Sequence, residues 1–261
     1  MLLNSVIIVL REVLEASLLI SILLALSGAL GISRRWIVWS LGFGLMGAII
    51  YSFGVTVISD WFDGVGQEVT NAVMQILIYL LLLAVTFLVL QKHGVHQLSD
   101  KLTILVMAAT VALAFVREGF EILVYLYGFS NELPRFMSIL TGAVIGASIG
   151  ISIGALIYYF VRSLSYWQSL LVGLSLLALV AAGMLSQAVL LLIQADWLPS
   201  QLPIWDSSGW LSETSVTGQL LYALIGYEAT PGALQAAFYF GGLMLLLIVV
   251  ASAIKVRRQR G

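Results

Sequence analysis

The sequence carries the pattern R-E-x-x-E twice inside long apolar stretches, as Arg11-Glu12-Val13-Leu14-Glu15 and as Arg117-Glu118-Gly119-Phe120-Glu121. An ionised side chain at membrane depth costs about 3 kcal/mol on insertion scales, so such residues are usually functional. In a helix, positions i, i+3 and i+4 share one face. The spacing therefore predicts that the two glutamates of each copy point the same way, and that each arginine reaches the second glutamate of its own copy.

The composition around these motifs is typical of a protein that crosses a membrane several times. Of the 261 residues, 61% are hydrophobic and 10% are charged, whereas soluble domains have about 25% charged residues. The mean hydropathy is +1.07. The chain has no cysteine, which excludes disulfides, thiolate metal sites and covalent haem attachment. We therefore expect an all-α integral membrane protein.

Seven stretches are long and apolar enough to cross a bilayer, which takes about 20 residues. They are 2–28, 37–58, 71–91, 102–128, 137–161, 168–194 and 232–254. Basic residues gather on the cytoplasmic side of membrane proteins, and most of those in this chain lie in alternate connections and in the C-terminal tail. They are Arg34, Arg35, Lys92, Lys101, Arg162, Lys255, Arg257, Arg258 and Arg260. This distribution predicts seven transmembrane helices with the N-terminus outside and the C-terminus in the cytoplasm. The basic C-terminal tail then follows the same rule and does not indicate nucleic-acid binding.

The two motifs lie three spans apart, which predicts an internal repeat. Residues 1–100 and 101–195 would form two related three-helix halves of one transmembrane domain that covers residues 1–261. Three is an odd number, so the halves have opposite orientations, an arrangement that places a substrate site near the midplane of many transporters. An external loop, 196–231, would contain a re-entrant or interfacial half-helix and precede a seventh helix, 232–254.

Packed side by side, the two motif helices would bring four carboxylates and two guanidinium groups together. The carboxylates are those of Glu12, Glu15, Glu118 and Glu121, and the guanidinium groups are those of Arg11 and Arg117. The surplus negative charge fits a multivalent cation, and oxygen ligands favour the hard ions Fe³⁺, Mg²⁺, Ca²⁺ and Mn²⁺. The arginines can hold the carboxylates by bidentate pairing. The alternative is an ion-pair network that only joins the two helices.

A stripe of glycines recurs every four residues along the fifth span. Its members are Gly142, Gly146, Gly150 and Gly154. Small residues at this spacing let two membrane helices approach closely. We expect the stripe to pack against another helix of the same chain rather than against a second copy of the protein.

The paired motif, in the first and fourth of seven spans, resembles that of the high-affinity iron permeases. This family comprises the oxidase-dependent fungal plasma-membrane permease and the bacterial EfeU-type permeases. Two further stretches are similar to the family: Gly64-Val65-Gly66-Gln67-Glu68 before the third span, and residues 212–231 before the last one. The resemblance therefore covers nearly the whole chain.

The resemblance implies a permease, and not an enzyme, that imports iron as Fe³⁺. An oxidase or iron-binding partner would supply the iron at the outer face. Iron is then the transported substrate, and no cofactor is implied. The protein would be a multi-pass protein of the cytoplasmic (inner) membrane, surrounded by its lipid. By the same resemblance, the four motif glutamates are the iron ligands and the two arginines are their partners.

A polar face at the start of the third span predicts an access path to the cluster. Glu68, Asn71 and Gln75 share this face of the predicted helix. Many members of the family have a second glutamate at the position of Asn71. The path in this chain therefore carries less charge than the family pattern implies.

Two other functions could use the same carboxylates. The first is transport of another hard cation, such as Mn²⁺, Mg²⁺ or Ca²⁺, which metal competition during uptake would distinguish. The second is hydrolysis of a lipid diphosphate in the membrane. That chemistry needs arginines that bind phosphate beside a loop rich in serine and glycine at the depth of the site, and the sequence has no such loop.

Overall fold

The protein is a bundle of long α-helices in the computed structural model, which describes residues 2–91, 100–129 and 133–260. Within these ranges the chain forms eight α-helices, a short 3₁₀ turn between the second and third, and no β-strand. The helices are α1 (Leu2–Ala29), α2 (Trp36–Ser59), α3 (Gly66–Gln91), α4 (Asp100–Tyr127), α5 (Leu133–Ser163), α6 (Tyr166–Gln194), α7 (Val216–Ile225) and α8 (Ala233–Arg260). The predicted all-α fold is confirmed for the described residues.

Six of these helices, α2 to α6 and α8, are long and apolar enough to cross a membrane. With 28 residues, α1 is at least as long as most of these six helices. It is not counted among them because the charged residues of its motif interrupt the apolar stretch near its middle. Each of the seven predicted stretches lies within one helix, apart from at most one terminal residue, and the helices extend beyond them by up to six residues. The chain is therefore a multi-pass helical membrane protein. The seventh crossing, by α1, and the orientation of the bundle stay predictions.

The first helix packs along α5 through the glycine stripe. At Gly146 the two backbones are so close that an added Cβ atom would lie 2.5 Å from the carbonyl oxygen of Val6 and 2.9 Å from the amide nitrogen of Leu10. The Ser17 hydroxyl donates a hydrogen bond of 2.9 Å to the carbonyl oxygen of Gly150. The stripe thus serves packing within the chain, as its spacing predicts.

Replacing Gly146 with alanine is expected to destabilise the protein, because the α1 backbone would have to move away from α5. Overpacking of this kind costs about 1–3 kcal/mol. No atom lies within 4 Å of the position of a Cβ at Gly241 in α8, so Gly241→Ala is the matched control. Thermal unfolding of both purified variants in detergent would measure the effect. Equal melting temperatures for the two variants would contradict the close approach of α1 and α5.

The remaining long helices enclose an apolar core on one side of the motifs. α2 packs along α4, α3 packs along α6, and α8 covers both α3 and α6. The core takes Leu23 and Leu26 from α1, C-terminal to its motif, and Met107 and Val111 from α4, N-terminal to its motif. The motifs therefore lie beyond the same end of the core, which leaves a separate region of the bundle for the charged groups.

The short helix α7 lies beside the middle of α1. Its 10 residues span about 15 Å, too little to cross a bilayer. The Ser215 hydroxyl accepts a hydrogen bond from the Gly218 amide at its start, and Gly226 at its end has φ +65° and lies against Gly183 of α6. Ala223 of α7 belongs to an apolar cluster with Leu14 and other leucines of α1. The predicted half-helix thus contacts the part of α1 that carries its motif.

Candidate metal site

The two R-E-x-x-E motifs meet where α1 packs against α4. Glu12 and Glu15 of α1 are buried, as are Arg117 and Glu118 of α4, and none of the four is more than 6% exposed. Charged groups are very costly to bury unless they are paired. The contacts among them therefore determine what the cluster can do.

Arg117 lies at the centre of the cluster. Its Nη1 atom is 3.2 Å from Glu15 Oε2 and also donates a hydrogen bond to the carboxylate of Glu118. Its Nη2 atom is 3.5 Å from Glu121 Oε1, the pairing within the second motif that the i, i+4 spacing predicts. One guanidinium group thus contacts three carboxylates, one from α1 and two from α4.

Arg11 has a different role, although it holds the corresponding position in the first motif. Its Nε atom is 3.5 Å from Glu15 Oε1, again the predicted i, i+4 pair, and its side chain remains 37% exposed. The guanidinium carbon lies 4.1 Å from the centroid of the Tyr222 ring, in a cation–π contact with α7. Sequence reasoning missed Tyr222, for which the only signal is an aromatic residue with a hydroxyl in an otherwise apolar half-helix.

Three of the four predicted carboxylates form a compact group. Glu12, Glu118 and Glu121 each offer one oxygen, and these oxygens lie within 4.8 Å of one another. Glu12 Oε2 and Glu118 Oε2 have no hydrogen-bond partner among the described residues. Buried carboxylate oxygens without partners are unfavourable in a protein alone, and they provide the oxygen ligands that a hard cation requires. We call this group the glutamate triad.

Glu15 is the predicted carboxylate that lies outside the triad. One of its oxygens faces Arg117 and the other faces Arg11. It therefore bridges the two arginines, one from each motif. The helical spacing places Glu12 and Glu15 on one face of α1, but it does not reveal that their carboxylates turn to different partners.

The predicted access path has contacts to different helices. Asn71 Oδ1 accepts a hydrogen bond of 3.3 Å from the Tyr51 hydroxyl on α2, and the Tyr51 ring packs on Phe120, next to Glu121, with 3.9 Å between centroids. Gln75 is fully buried and donates a hydrogen bond of 2.6 Å to Gln187 on α6. Asn71 is therefore linked through Tyr51 and Phe120 to the neighbourhood of the triad. Gln75 instead joins α3 to α6. Glu68 is half-buried near the start of α3.

A polar cavity of about 180 Å³ lies on the other side of Arg11. We call it the α7 cavity, and its lining residues are Arg11, Leu190, Glu213, Gln219, Tyr222, Glu228, Thr230 and Gln235. Burial, together with the nearby carboxylate of Glu213, raises the pKa of Glu228 to about 7, an effect that Arg11 partly offsets. Arg11 thus separates a second acidic region, built by the chain around α7, from the triad.

The fold and the site together define a class of protein: a multi-pass helical membrane protein with a largely buried cluster of carboxylates and guanidinium groups drawn from two copies of one motif. The sequence model of the Iron permease FTR1 family matches residues 2–258, and the chain belongs to this family. The resemblance seen in the motifs is thereby confirmed, and the protein is an iron permease in the general sense of the family. No match was found among curated proteins or among solved structures.

Proposed function

We propose that the protein imports iron as Fe³⁺ across the cytoplasmic membrane, and that the ion passes through the glutamate triad. The observation that carries this proposal is the meeting of the buried Glu12 and Glu118 with the partly exposed Glu121, in a group contributed by two copies of one motif. Membership of the iron permease family supports iron as the substrate.

The charges of the site are consistent with a trivalent ion. The three carboxylates of the triad balance the charge of Fe³⁺. Glu15 and Arg117 form a neutral buried pair, and Arg11 is left partly exposed toward the acidic α7 cavity. Bound iron would therefore remove the uncompensated charge that makes the triad costly to bury.

We assign a different role to each part of the two motifs. Glu12, Glu118 and Glu121 are iron ligands. Arg117 orients Glu118 and Glu121 by direct contact, as a planar fork of donors can. The spacing alone groups Glu15 with the ligands, but its contacts favour the role of counter-charge to both arginines.

The proposed topology has seven spans, with the N-terminus outside and two inverted repeats, α1 to α3 and α4 to α6. The packing supports it. A two-fold relation that exchanges the halves would convert the pairing of α1 with α5 into the pairing of α4 with α2, and both pairings are found. The same relation would pack α3 against its counterpart α6, as is also found. The triad would then lie at the interface of the repeats, where such transporters bind substrate.

The partner implied by this function is an oxidase or iron-binding protein at the outer face. Fe³⁺ is scarcely soluble at neutral pH, so it has to be generated or delivered where it enters the protein. The family resemblance supports such a partner.

Radio-iron uptake by cells that lack other iron importers would test the proposal. The double variant Glu12→Gln/Glu118→Gln keeps side-chain volume and is expected to abolish uptake at matched membrane expression. Ferric and ferrous iron are supplied separately, and uptake of ferrous iron only with an oxidase present is expected. Asp60→Asn/Asp206→Asn removes two exposed carboxylates far from the motifs in sequence, and this control should transport normally. Wild-type uptake by the triad variant would refute the site.

Transport of another hard cation is the second candidate function. It is favoured by the ligand set, since the triad contains oxygen ligands alone and oxygen also suits Mn²⁺, Mg²⁺ and Ca²⁺. A tenfold excess of each ion during the uptake assay would distinguish the two. Iron uptake that persists in the presence of all three supports iron as the substrate, and strong inhibition by one of them identifies the competitor.

A further inference from the structure

The α7 cavity is built from the chain that precedes and follows α7. Glu213 lies before this helix and Glu228 after it, and Gln219 and Tyr222 on the helix also line the cavity. The cavity volume of about 180 Å³ is well above the roughly 10–15 Å³ that one water molecule needs on the same measure. It is therefore large enough for one cation that keeps part of its hydration shell.

The two carboxylates of this cavity are held in place by neighbouring groups. Gln235, which is buried, donates a hydrogen bond of 2.6 Å to Glu228 Oε2 and accepts one of 2.8 Å from the Gly232 amide. Glu213 Oε1 accepts a hydrogen bond from the amide of Ala229, next to Glu228. These bonds fix both carboxylates in spite of their mutual repulsion.

Oxygen atoms without partners remain in the cavity lining. Gln219 is only 8% exposed, and its Nε2 atom donates a hydrogen bond of 2.6 Å to the carbonyl oxygen of Glu213. Its Oε1 atom has no partner among the described residues, and neither does Glu228 Oε1. A buried amide oxygen normally finds a donor or a cation, because leaving it alone is unfavourable.

We propose that the α7 cavity is a second binding site for a hard multivalent cation, with Glu213, Glu228 and the amide oxygen of Gln219 as ligands. The proposal rests on the proposed function, for which this site would hold the ion before it reaches the triad. Two carboxylates and one guanidinium group leave the cavity with a net negative charge, and oxygen ligands select hard ions.

Arg11 separates the two sites. Its guanidinium group lines the cavity and lies over Tyr222, while its Nε atom faces Glu15. A cation in the cavity would compete with Arg11 for the carboxylate of Glu228. Repulsion between the bound cation and the guanidinium group would then weaken the cation–π contact of Arg11 with Tyr222. Movement of Arg11 away from Tyr222 would give the ion access to the triad.

Binding of Tb³⁺, a hard trivalent probe, to the purified full-length protein in detergent would test the second site. Equilibrium dialysis is expected to give two Tb³⁺ ions per wild-type chain. The cavity variant Glu213→Gln/Glu228→Gln and the triad variant Glu12→Gln/Glu118→Gln should each bind one ion, and a variant that combines all four changes should bind none. Asp60→Asn/Asp206→Asn should still bind two. Two ions on the cavity variant, or a single ion on the wild type that the cavity variant retains, would overturn the proposal.

Uptake kinetics separate this proposal from the proposed function. The cavity variant is expected to raise the iron concentration for half-maximal uptake at least fivefold while keeping most of the maximal rate, whereas the triad variant loses the maximal rate. An unchanged half-maximal concentration would overturn the role of the cavity. Wild-type uptake by the triad variant would instead refute the proposed function, whatever the Tb³⁺ count. If the double cavity variant does not fold, Glu228→Gln, which keeps an acceptor for Gln235, decides by the same two readouts.

Discussion

Replacing Arg117 with leucine is expected to abolish iron uptake and to reduce the amount of folded protein sharply. Arg117 contacts Glu15, Glu118 and Glu121, and it is 5% exposed. Its removal leaves carboxylates buried without a counter-charge, and breaking a buried ion pair in this way costs about 3–5 kcal/mol. Arg117→Lys should recover part of the folded protein but little of the uptake, because a point charge cannot contact three carboxylates as a planar fork does.

The matched comparison for this prediction is Arg11→Leu at the corresponding position of the first motif. Arg11 contacts only Glu15 among the motif carboxylates and is 37% exposed, so its loss should destabilise the protein less. Arg11→Lys should still impair uptake, since the stacking on Tyr222 and the reach to Glu15 both depend on the guanidinium group. Membrane expression, thermal unfolding in detergent and uptake would be measured for all four variants. Equal losses of folded protein in Arg11→Leu and Arg117→Leu would show that the two arginines are equivalent.

Replacing Glu118 with glutamine is expected to lower iron uptake by at least about tenfold while leaving the protein folded. Glu118 lies in the triad and has one oxygen without a partner among the described residues, so neutralising it removes a proposed iron ligand and also reduces the repulsion among the carboxylates. Glu15→Gln should have the opposite profile. Glu15 contacts both arginines, and its neutralisation should lower stability by about 1–3 kcal/mol with a smaller effect on uptake.

Uptake as a function of iron concentration, together with the melting temperature, would measure both variants. The division of roles requires that the two effects separate: Glu118→Gln mainly affects uptake and Glu15→Gln mainly affects stability. If Glu15→Gln is as stable as the wild type and transports as poorly as Glu118→Gln, then Glu15 is a ligand and the assignment of a triad is wrong.

Much of the fold and the composition of the site can be predicted from the sequence, because both depend on local patterns. Apolar stretches of sufficient length predict the position of each long helix, although the helix ends differ from the predicted ends by up to six residues. The i, i+4 spacing predicts the pairs of Arg11 with Glu15 and of Arg117 with Glu121, since both partners lie on one helix whose geometry is fixed. The glycine spacing likewise predicts a close helix contact, although not which helix provides it.

The sequence could not predict which of the six charged groups of the two motifs contact one another across the two helices. The contact between Arg117 and Glu15 joins residues on different helices, and it depends on how α1 and α4 are rotated and how closely they approach. The sequence could not predict the α7 cavity beside Arg11 either, because Glu213, Gln219 and Glu228 come together only through the path of the chain around α7.

The sequence by itself determined that this protein has helices long and apolar enough to span a membrane and a duplicated charged motif with four carboxylates, because helix length and side-chain spacing are properties of single elements. The tertiary structure alone decided that Glu12, Glu118 and Glu121 form the triad, that Glu15 bridges the arginines, and that Arg11 faces a second acidic cavity. Distances between helices follow from their packing. In this chain the packing is set by the glycines of α5 against α1 and by the short helix α7 beside the first motif.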